Sequence, residues 1–198
     1  MSVFFLRKVL DEDLVPFVRN MDNKENDVSS VNEKEIMDFY GYKGMSGSLI
    51  LKLRFLRTWM LHSLAYLSVH SGFAIKMQRA RGVTIGNNCH ISPYVLIDLV
   101  YPSLVRIGDN VTIGSNTLIF AHANPTANLW LKRNGYPRKV EPVTIKSGAV
   151  LFPGSIITAG VTIGENSLVS AGSVVFESIP DNCVVLGNPA RVVKKIKD

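Results

Sequence analysis

The feature of this sequence that most constrains its fold is an aliphatic residue that recurs every six positions after Gly82. These residues are Ile85, Ile91, Ile97, Ile107, Ile113, Ile119, Ile145, Leu151, Ile157, Ile163, Val169 and Val175. Insertions interrupt the period twice, before Ile107 and before Ile145. A fixed internal period is typical of solenoids, in which each repeat packs on its neighbours.

The positions between the aliphatic residues are also restricted in type. Glycine often follows the aliphatic residue directly, as Gly86, Gly108, Gly114 and Gly164. Asparagine recurs at the third place, as Asn88, Asn110, Asn116 and Asn166, and a small or β-branched residue occupies the fourth. We expect the aliphatic residue to point inward and the small residue to fill a tight corner. Glycine and asparagine would supply the positive φ that frequent sharp turns demand.

This pattern predicts a mainly β protein built as a parallel β-helix over residues 81–198. Three hexapeptides close one triangular coil, so the twelve repeats make about four coils, each rising by roughly 4.8 Å. An α-helix is excluded because Gly, Asn and β-branched residues are frequent. A β-sandwich is excluded because hairpin signals do not recur.

The preceding segment, residues 1–80, has the apolar spacing of helices. One helix is predicted around LRKVLDEDLVPFVRNM, with Pro16 kinking or ending it. A polar loop and a short helix ending near Tyr40 follow, then a GYKGMSGS linker and a long helix that ends near Gln78. We expect this helical segment to cover one open end of the β-helix.

The long helix mixes basic and large apolar side chains between residues 49 and 78. Two interpretations remain open: peripheral contact with an anionic membrane, or packing against protein. The apolar stretch over residues 58–75 is a poor transmembrane candidate because it is short and contains two histidines and three serines.

The formal net charge of +6 favours an anionic partner such as nucleic acid, a membrane surface or a phosphorylated ligand. Nucleic acid is the weakest of these because the basic residues are scattered and no binding motif accompanies them. Cys89 and Cys183 form no CxxC pair, and MSVFFLRKVL lacks the features of a signal peptide. We therefore expect reduced cysteines and a cytoplasmic protein.

Residues 82–197 resemble the hexapeptide-repeat acyltransferases, which include galactoside, maltose, nodulation-factor and xenobiotic acetyltransferases. The strongest resemblance lies in AGVTIGENSLVSAGSVVFESIPDNCVVLGNPARVVKKI, which is similar to the closing coils and tail of that family. A second match, IGDNVTIGSNTLIFAHANPT followed by a long loop, is similar to its catalytic region. The resemblance implies a left-handed β-helix, a homotrimer, acetyl-CoA as co-substrate without a metal, and a histidine base in a cleft between two subunits.

The resemblance assigns the base to His122, which ends the last repeat before the larger insertion. Histidine suits this role because its pKa lies near operating pH. Asp98, at the start of the other insertion, would orient His122 or bind the acceptor, and a turn-forming aspartate is the alternative. His62 and His70 are expected to pack in the helical segment, and His90 is expected at a surface turn.

The resemblance also implies binding residues for both substrates. In the insertion, which includes a KRNG run similar to galactoside acetyltransferases, the predicted acceptor-binding residues are Trp130, Lys132 and Arg133. The predicted cofactor-binding residues are Gly160, Ala171, Arg191 and Lys194. Glu177 departs from the family, since many members have a threonine and a lysine near it and a carboxylate repels phosphate.

These observations favour an acetyl-CoA-dependent O-acetyltransferase acting on a saccharide or related small molecule. N-acetylation of an amino sugar or antibiotic is the alternative within the same chemistry. A non-catalytic β-helix scaffold is a second alternative, because this fold also serves in assembly. A γ-type carbonic anhydrase would need three histidines on one zinc, and the repeats offer only His90 and His122.

Overall fold

The structure, a computed structural model, describes residues 27–197. The helix predicted around Pro16 lies outside the described residues. Three helices precede the first strand: α1 (Val28–Tyr40), α2 (Gly44–Tyr66) and α3 (Ser71–Ala80). A short helix, α4 (Leu129–Arg133), lies within the larger insertion, and a 3₁₀ turn (Pro102–Leu104) lies within the smaller one.

The helix predicted to end near Gln78 is in fact two helices. Residues 67–70 separate α2 from α3, and the backbone nitrogens of Phe73 and Ala74 donate to the carbonyl of His70 to begin the second helix. Helix α2 also begins at Gly44, inside the stretch that we expected to be a linker. Glycine and serine favour a linker only weakly, and the packing of the following turns overrides that preference.

Almost all of the remaining chain consists of very short strands separated by turns. The strands are β1 (Thr84–Ile85), β2 (His90–Ile91), β3 (Leu96–Ile97), β4 (Val105–Ile107), β5 (Thr112–Ile113), β6 (Leu118–Ile119), β7 (His122–Ala123), β8 (Lys139–Val140), β9 (Val143–Ile145), β10 (Val150–Leu151), β11 (Ile156–Ile157), β12 (Thr162–Ile163), β13 (Leu168–Val169), β14 (Val174–Val175), β15 (Cys183–Gly187) and β16 (Ala190–Lys195).

Within residues 27–197 these strands form four sheets. Three consist of mainly parallel strands, ordered β1-β4-β9-β12, β2-β5-β10-β13-β15-β16 and β3-β6-β11-β14, and the fourth is the antiparallel pair β7-β8. Apart from the antiparallel pairs β7-β8 and β15-β16, successive strands of the chain fall into different sheets, so the backbone winds around a common axis. The ladders pair the recurring aliphatic residues with one another, for example Ile85 with Ile107 and Ile107 with Ile145. This arrangement is mainly β and fits a left-handed β-helix with helices on its N-terminal side.

The aliphatic columns form the core of the prism. Ile97, Ile119 and Ile157 are each fully buried and follow one another in the third sheet. Burying a side chain of this size contributes roughly 1.5–3 kcal/mol. The inward direction predicted for this position is therefore confirmed.

The turn between hexapeptides contains one residue with positive φ, at the third place after the aliphatic residue. Asn88, Asn110, Asn116 and Asn166 have φ between 52° and 59°, as predicted. Glycine occupies the same place in other coils, as Gly148, Gly154, Gly160 and Gly172. Tyr94 also adopts positive φ there, with its nitrogen donating to the carbonyl of Tyr66.

The glycines directly after the aliphatic residues have a different role from the one expected, since none has positive φ. They are needed because the next coil passes too close for a side chain. A Cβ at Gly86 would lie 2.6 Å from the carbonyl carbon of Gly108, and one at Gly114 would lie 2.6 Å from the nitrogen of Pro153. Backbone cannot move aside as a flexible side chain can, so these positions require glycine for space.

The first coil is completed by helical residues. The backbone nitrogen of Ile91 donates to the Oγ of Ser71 at 2.9 Å, and that of Val83 donates to the carbonyl of Gln78 at 3.2 Å. A first coil has no preceding coil to accept its amide hydrogens, and buried amides need partners. Helical residues 71–78 therefore cap the first coil, as expected for this part of the helical segment.

The described chain divides into two compact units: residues 27–52 with 125–137, and residues 53–124 with 138–197. In the first unit, Lys132 of α4 forms an ion pair with Glu35 of α1. In the second unit, the later helical residues pack with the prism. The boundary between the two compact units therefore lies after residue 52, although the change from helices to strands comes only after residue 80.

We expect Gly114→Ala to lower the free energy of unfolding by roughly 1–3 kcal/mol, because the added methyl overpacks the backbone of the adjacent coil. Gly72→Ala is the matched control, since a Cβ at Gly72 meets nothing within 4 Å. That control should unfold at the wild-type denaturant midpoint or slightly above it. Equal midpoints for both variants in denaturant titrations would contradict the steric explanation.

Candidate active site

His122 lies at a corner of the prism where the chain leaves the regular coils. It is the third residue after Ile119, the place of the turn in other repeats, but here it begins β7. Strand β7 pairs with β8 in antiparallel fashion, His122 opposite Val140. Because Ile119 pairs with Ile157, the residue at the same corner of the next coil is Gly160.

Asp98 contacts His122 directly. The Nδ1 atom of His122 lies 2.6 Å from Oδ2 of Asp98, and the backbone nitrogen of Ala121 donates to the same oxygen at 2.8 Å. The other carboxylate oxygen, Oδ1, accepts from the nitrogens of Val100 and Tyr101, each at 2.8 Å. The buried carboxylate therefore has four hydrogen-bond donors around it.

These donors keep the Asp98 carboxylate charged. Burial alone would raise the pKa of Asp98, but the hydrogen bonds from His122, Tyr101 and Val100 and the charge of His122 together lower it below its ordinary value. An ionised carboxylate only accepts hydrogen bonds, so Nδ1 of His122 must carry the hydrogen. The lone pair of the neutral imidazole is consequently on Nε2.

The imidazole of His122 is held but not enclosed. Its side chain is 21% exposed, whereas Asp98 is fully buried. The ring of Tyr101 packs edge-on against it, with 5.3 Å between ring centroids. A histidine fixed through Nδ1 with Nε2 available is the arrangement required of a general base.

Arg81, which follows α3, supports the backbone of this pair. Its Nη2 atom donates to the carbonyls of Asp98 at 2.7 Å and of Ile97 at 3.1 Å. Its Nη1 atom donates to Oε1 of Gln78 at 2.5 Å and lies 3.1 Å from Nδ1 of His62. The whole cluster is buried.

Burial and the neighbouring charge of Arg81 together lower the pKa of His62 to about 4. The same burial lowers the pKa of Arg81 to about 10, while the charge of Asp98 opposes that shift. His62 is therefore neutral at neutral pH, as a packing residue of the helical segment should be. His90 lies on strand β2 rather than in a turn, and its side chain is exposed.

The predicted acceptor-binding residues all lie on α4, in the unit formed by residues 27–52 and 125–137. Trp130 is 67% exposed. Lys132 is nearly buried, because its Nζ lies 2.6 Å from Oε2 of Glu35 and 2.9 Å from Oδ1 of Asn32. Lys132 thus fixes α4 to α1 within this unit. The cap of α4 is Asn128, whose Oδ1 accepts from the nitrogen of Leu131.

The predicted cofactor-binding residues are on the prism surface. Gly160 shares the corner of His122, and the carboxylate of Glu141, which is paired with Lys139 at 2.9 Å, lies against it. Ala171 lies two corners further along the chain, after the second sheet. Arg191 and Lys194 are exposed on β16, opposite Leu186 and Val184 of β15.

Sequence reasoning missed three contributors to this site. Tyr101 packs against His122, Arg81 donates to the Asp98 backbone, and Glu141 lies beside Gly160. Arg81 had no local signal, since nothing in the sequence indicates that a residue after a helix reaches the third sheet. Among residues 27–197, no group of three or more His, Cys, Asp or Glu side chains is arranged to hold a metal ion.

Comparison with known proteins agrees with this architecture. The family model described as "Hexapeptide repeat of succinyl-transferase" matches residues 104–119 and 142–177. The galactoside O-acetyltransferase of Escherichia coli K12 is 36% identical over 117 residues, which are 57% of this chain and 57% of that protein.

Two solved structures have a similar fold. A galactoside acetyltransferase in complex with coenzyme A is 29% identical, with a TM-score of 0.57, covering 75% of this chain and 83% of that one. A maltose O-acetyltransferase from Clostridium difficile 630 is 25% identical, also with a TM-score of 0.57, covering 75% and 89%.

The chain thus carries the hexapeptide repeat, and its prism resembles those of the hexapeptide-repeat acyltransferases, as the sequence predicted. More particularly, it is similar to the galactoside and maltose O-acetyltransferases. The match spans little more than half the length of the curated relatives, 57% for the Escherichia coli protein.

The buried His62 should make folding pH-dependent. The unfolded chain binds a proton at this histidine below about pH 6.5, but the folded chain does so only below about pH 4. The free energy of unfolding therefore falls as pH decreases through that window. His62→Gln, which retains an acceptor for Arg81, should show a smaller fall in denaturant midpoint.

His90→Gln is the control for this titration, because His90 is exposed and its replacement should leave the wild-type pH dependence unchanged. A wild-type slope in the His62→Gln protein would contradict the assignment of the shifted group.

Proposed function

We propose that this protein transfers the acetyl group of acetyl-CoA to a hydroxyl of a saccharide or related small molecule. The observation that carries the proposal is the pairing of His122 with Asp98, 2.6 Å apart, at a corner of the prism. The resemblance to galactoside and maltose O-acetyltransferases supports the reaction class. The match covers only 57% of the Escherichia coli relative, so the activity of that whole protein is proposed for this chain and not carried over directly.

Acetyl-CoA supplies the acetyl group as a thioester, so the chain must position the reactants and move a proton. In the proposed mechanism, Nε2 of His122 takes the acceptor's hydroxyl proton while that oxygen attacks the thioester carbonyl carbon. The carbon–sulfur bond breaks, and the imidazolium returns the proton to the leaving thiolate. Asp98 holds the ring and stabilises its transient charge. Such general base catalysis contributes roughly 10²–10⁴-fold.

The exposed residues on the prism suit the two ends of coenzyme A. Arg191 and Lys194 would pair with its phosphates, since β16 presents these cations to solvent. Gly160 and Ala171 offer backbone without long side chains. For pantetheine to approach Gly160, the Glu141 carboxylate must swing away, which its 46% exposure allows. Glu177 is exposed and adds a negative charge, which we propose lies away from the phosphates.

Gly160 and Ala171 lie at different corners of the prism, a separation that supports a homotrimer. One extended cofactor could touch both types of corner if it lay in a cleft between two neighbouring prisms. A threefold arrangement of identical chains creates three such clefts by heterologous contacts. We propose that each cleft combines His122 of one chain with coil residues of the next.

The acceptor would be bound by the exposed residues of α4. Trp130 offers a large exposed ring of the kind that stacks on sugars, and Arg133 offers hydrogen-bond donors. Glu35 and Asn32 hold the ammonium of Lys132, so Lys132 would have to exchange one of these partners to bind the acceptor. An amine acceptor would use the same base, so N-acetylation is separated from O-acetylation only by the acceptor assay.

We also propose that the protein acts in the cytoplasm, where acetyl-CoA is available.

We expect His122→Ala to lower the rate of acetyl transfer by roughly 10²–10⁴-fold, because it removes the base. It should retain coenzyme A binding, because the side chain contacts Asp98 and not the proposed phosphate site. The assay is release of coenzyme A thiol from acetyl-CoA with panels of saccharides and amino sugars. Calorimetric titration with coenzyme A and determination of the oligomeric mass accompany it.

His90→Ala is the matched control and should keep wild-type turnover, since this histidine is exposed on β2. Unchanged turnover in the His122→Ala protein would overturn the base assignment. If the wild-type protein bound no coenzyme A even at high concentration, the scaffold alternative would replace the transferase.

A further inference from the structure

The positive charge of this chain is concentrated in one region. Residues 44–97 contain six of the 22 Lys and Arg residues and none of the 16 Asp and Glu residues, so they account for the whole net charge of +6. This region comprises α2, α3 and the first coil of the prism. It is separate from the proposed phosphate-binding residues on β16.

The helices of this region are oriented against the usual rule of amphipathic packing. Of the side chains buried within residues 53–80, one, Ile75, is large and apolar, and the others are polar or small: Thr58, His62, Ala65, Ala74 and Gln78. Their exposed face carries large apolar side chains: Leu53, Leu56, Trp59, Met60, Leu64, Leu67, Val69 and Phe73. We call these eight residues the apolar face.

The side chains of the apolar face form one patch and are strongly exposed. Trp59 is 61% exposed and Leu67 is 68% exposed. Trp59, Met60, Leu64 and Phe73 line one shallow groove between the end of α2 and the start of α3. Contiguous apolar patches of this kind on a protein surface mark sites of interaction with protein or membrane.

Cations flank the apolar face. Arg57 lies one helical turn from Leu53, and Lys76 lies one turn from Phe73. Both are exposed, and Arg57 also donates to the carbonyl of Ala80 at 2.8 Å, which holds it between the two helices. Arg79 is exposed as well. No carboxylate lies between residues 44 and 97 to neutralise them.

We propose that the apolar face docks on an anionic lipid surface, with Arg57, Lys76 and Arg79 at the level of the headgroup phosphates. The charges favour this occupant over a second copy of the chain, because a twofold contact would place cations of the same sign together. An interfacial helix needs apolar side chains on one side and flanking cations, and both are present. The helices would lie on the surface, since no helix among residues 27–197 is long and apolar enough to cross a membrane.

The proposal is tested by co-sedimentation of the full-length protein with vesicles of phosphatidylcholine alone or with added phosphatidylglycerol. We expect binding to the anionic vesicles that weakens as salt is added. The affinity of the double variant Trp59→Ser/Leu64→Ser for these vesicles should be at least roughly tenfold weaker. The variant removes two exposed apolar side chains and leaves the buried face unchanged. Lys76→Glu should weaken binding to anionic vesicles only.

Phe152→Ser/Phe176→Ser is the matched control, since it removes two exposed apolar residues of the prism and should bind vesicles as the wild type does. Absence of wild-type binding to anionic vesicles would overturn the proposal. So would wild-type binding by the Trp59→Ser/Leu64→Ser protein, or a change in its oligomeric mass, which would identify a second copy as the occupant.

An independent observation concerns Arg81, and the inference from it rests on the proposed function. Its guanidinium is buried and donates to the carbonyls of Ile97 and Asp98. We infer that Arg81 is a positioning residue, which fixes residue 98 and thereby aims the imidazole of His122. The charged or titratable groups around Asp98 in this arrangement are His122, Tyr101, Arg81 and, beyond Arg81, His62.

Arg81→Lys keeps the charge but loses the planar fork that reaches two carbonyls and Gln78 at once. We expect the NMR shifts of the His122 ring protons to move toward those in Asp98→Asn. Turnover should fall by roughly tenfold or more, with coenzyme A affinity unchanged. The NMR readout requires no activity, so it separates failure of this inference from failure of the proposed reaction.

Arg79→Lys is the control, because Arg79 also donates to two carbonyls, those of Ile85 and Gly86, but does not touch Asp98. It should leave the His122 ring-proton shifts and the turnover unchanged. Wild-type His122 ring-proton shifts in Arg81→Lys, or equal effects of the two variants, would overturn the positioning role.

Discussion

The stacking of one coil on the next governs the rest of this structure. Each strand is only two or three residues long in most coils, too short to be stable as an isolated pair. Stability therefore comes from long columns in which buried aliphatic residues and backbone hydrogen bonds repeat from coil to coil. Ile97, Ile119 and Ile157 form such a column. The close approach of coils also explains why Gly86 and Gly114 carry no side chain.

The candidate site is a local departure from this regularity. Asp98 and His122 are 24 residues apart but follow paired residues of adjacent coils, so the coil spacing brings them together. Each insertion replaces a regular turn, so the backbone there no longer follows the repeat. After Asp98 this irregular backbone supplies hydrogen-bond donors to the carboxylate, and at His122 the chain leaves the corner as β7. The regular coils thus hold the polar pair of Asp98 and His122, which lies where the hexapeptide repeat is interrupted.

The helical residues serve the prism in an unusual way. Polar groups such as Gln78 and His62 face inward because the first coil and Arg81 need hydrogen-bond partners. The eight large apolar side chains of the apolar face lie on the outside, whereas Ile75 is buried. The buried polar cluster links the helices to the backbone of Asp98. The same packing therefore accounts both for the support of the candidate site and for the apolar face.

The sequence by itself determined the coil architecture, because a six-residue period with asparagine at positive φ leaves few alternatives. It also placed His122 and Asp98 as candidates, through a resemblance whose reaction class the relatives support. Only the tertiary structure decided that Asp98 contacts His122 and that Lys132 is engaged by Glu35, since these contacts depend on register and insertions. The break between α2 and α3 and the inward direction of Arg81 were likewise invisible, because helical periodicity gives a face but not the partner that buries it.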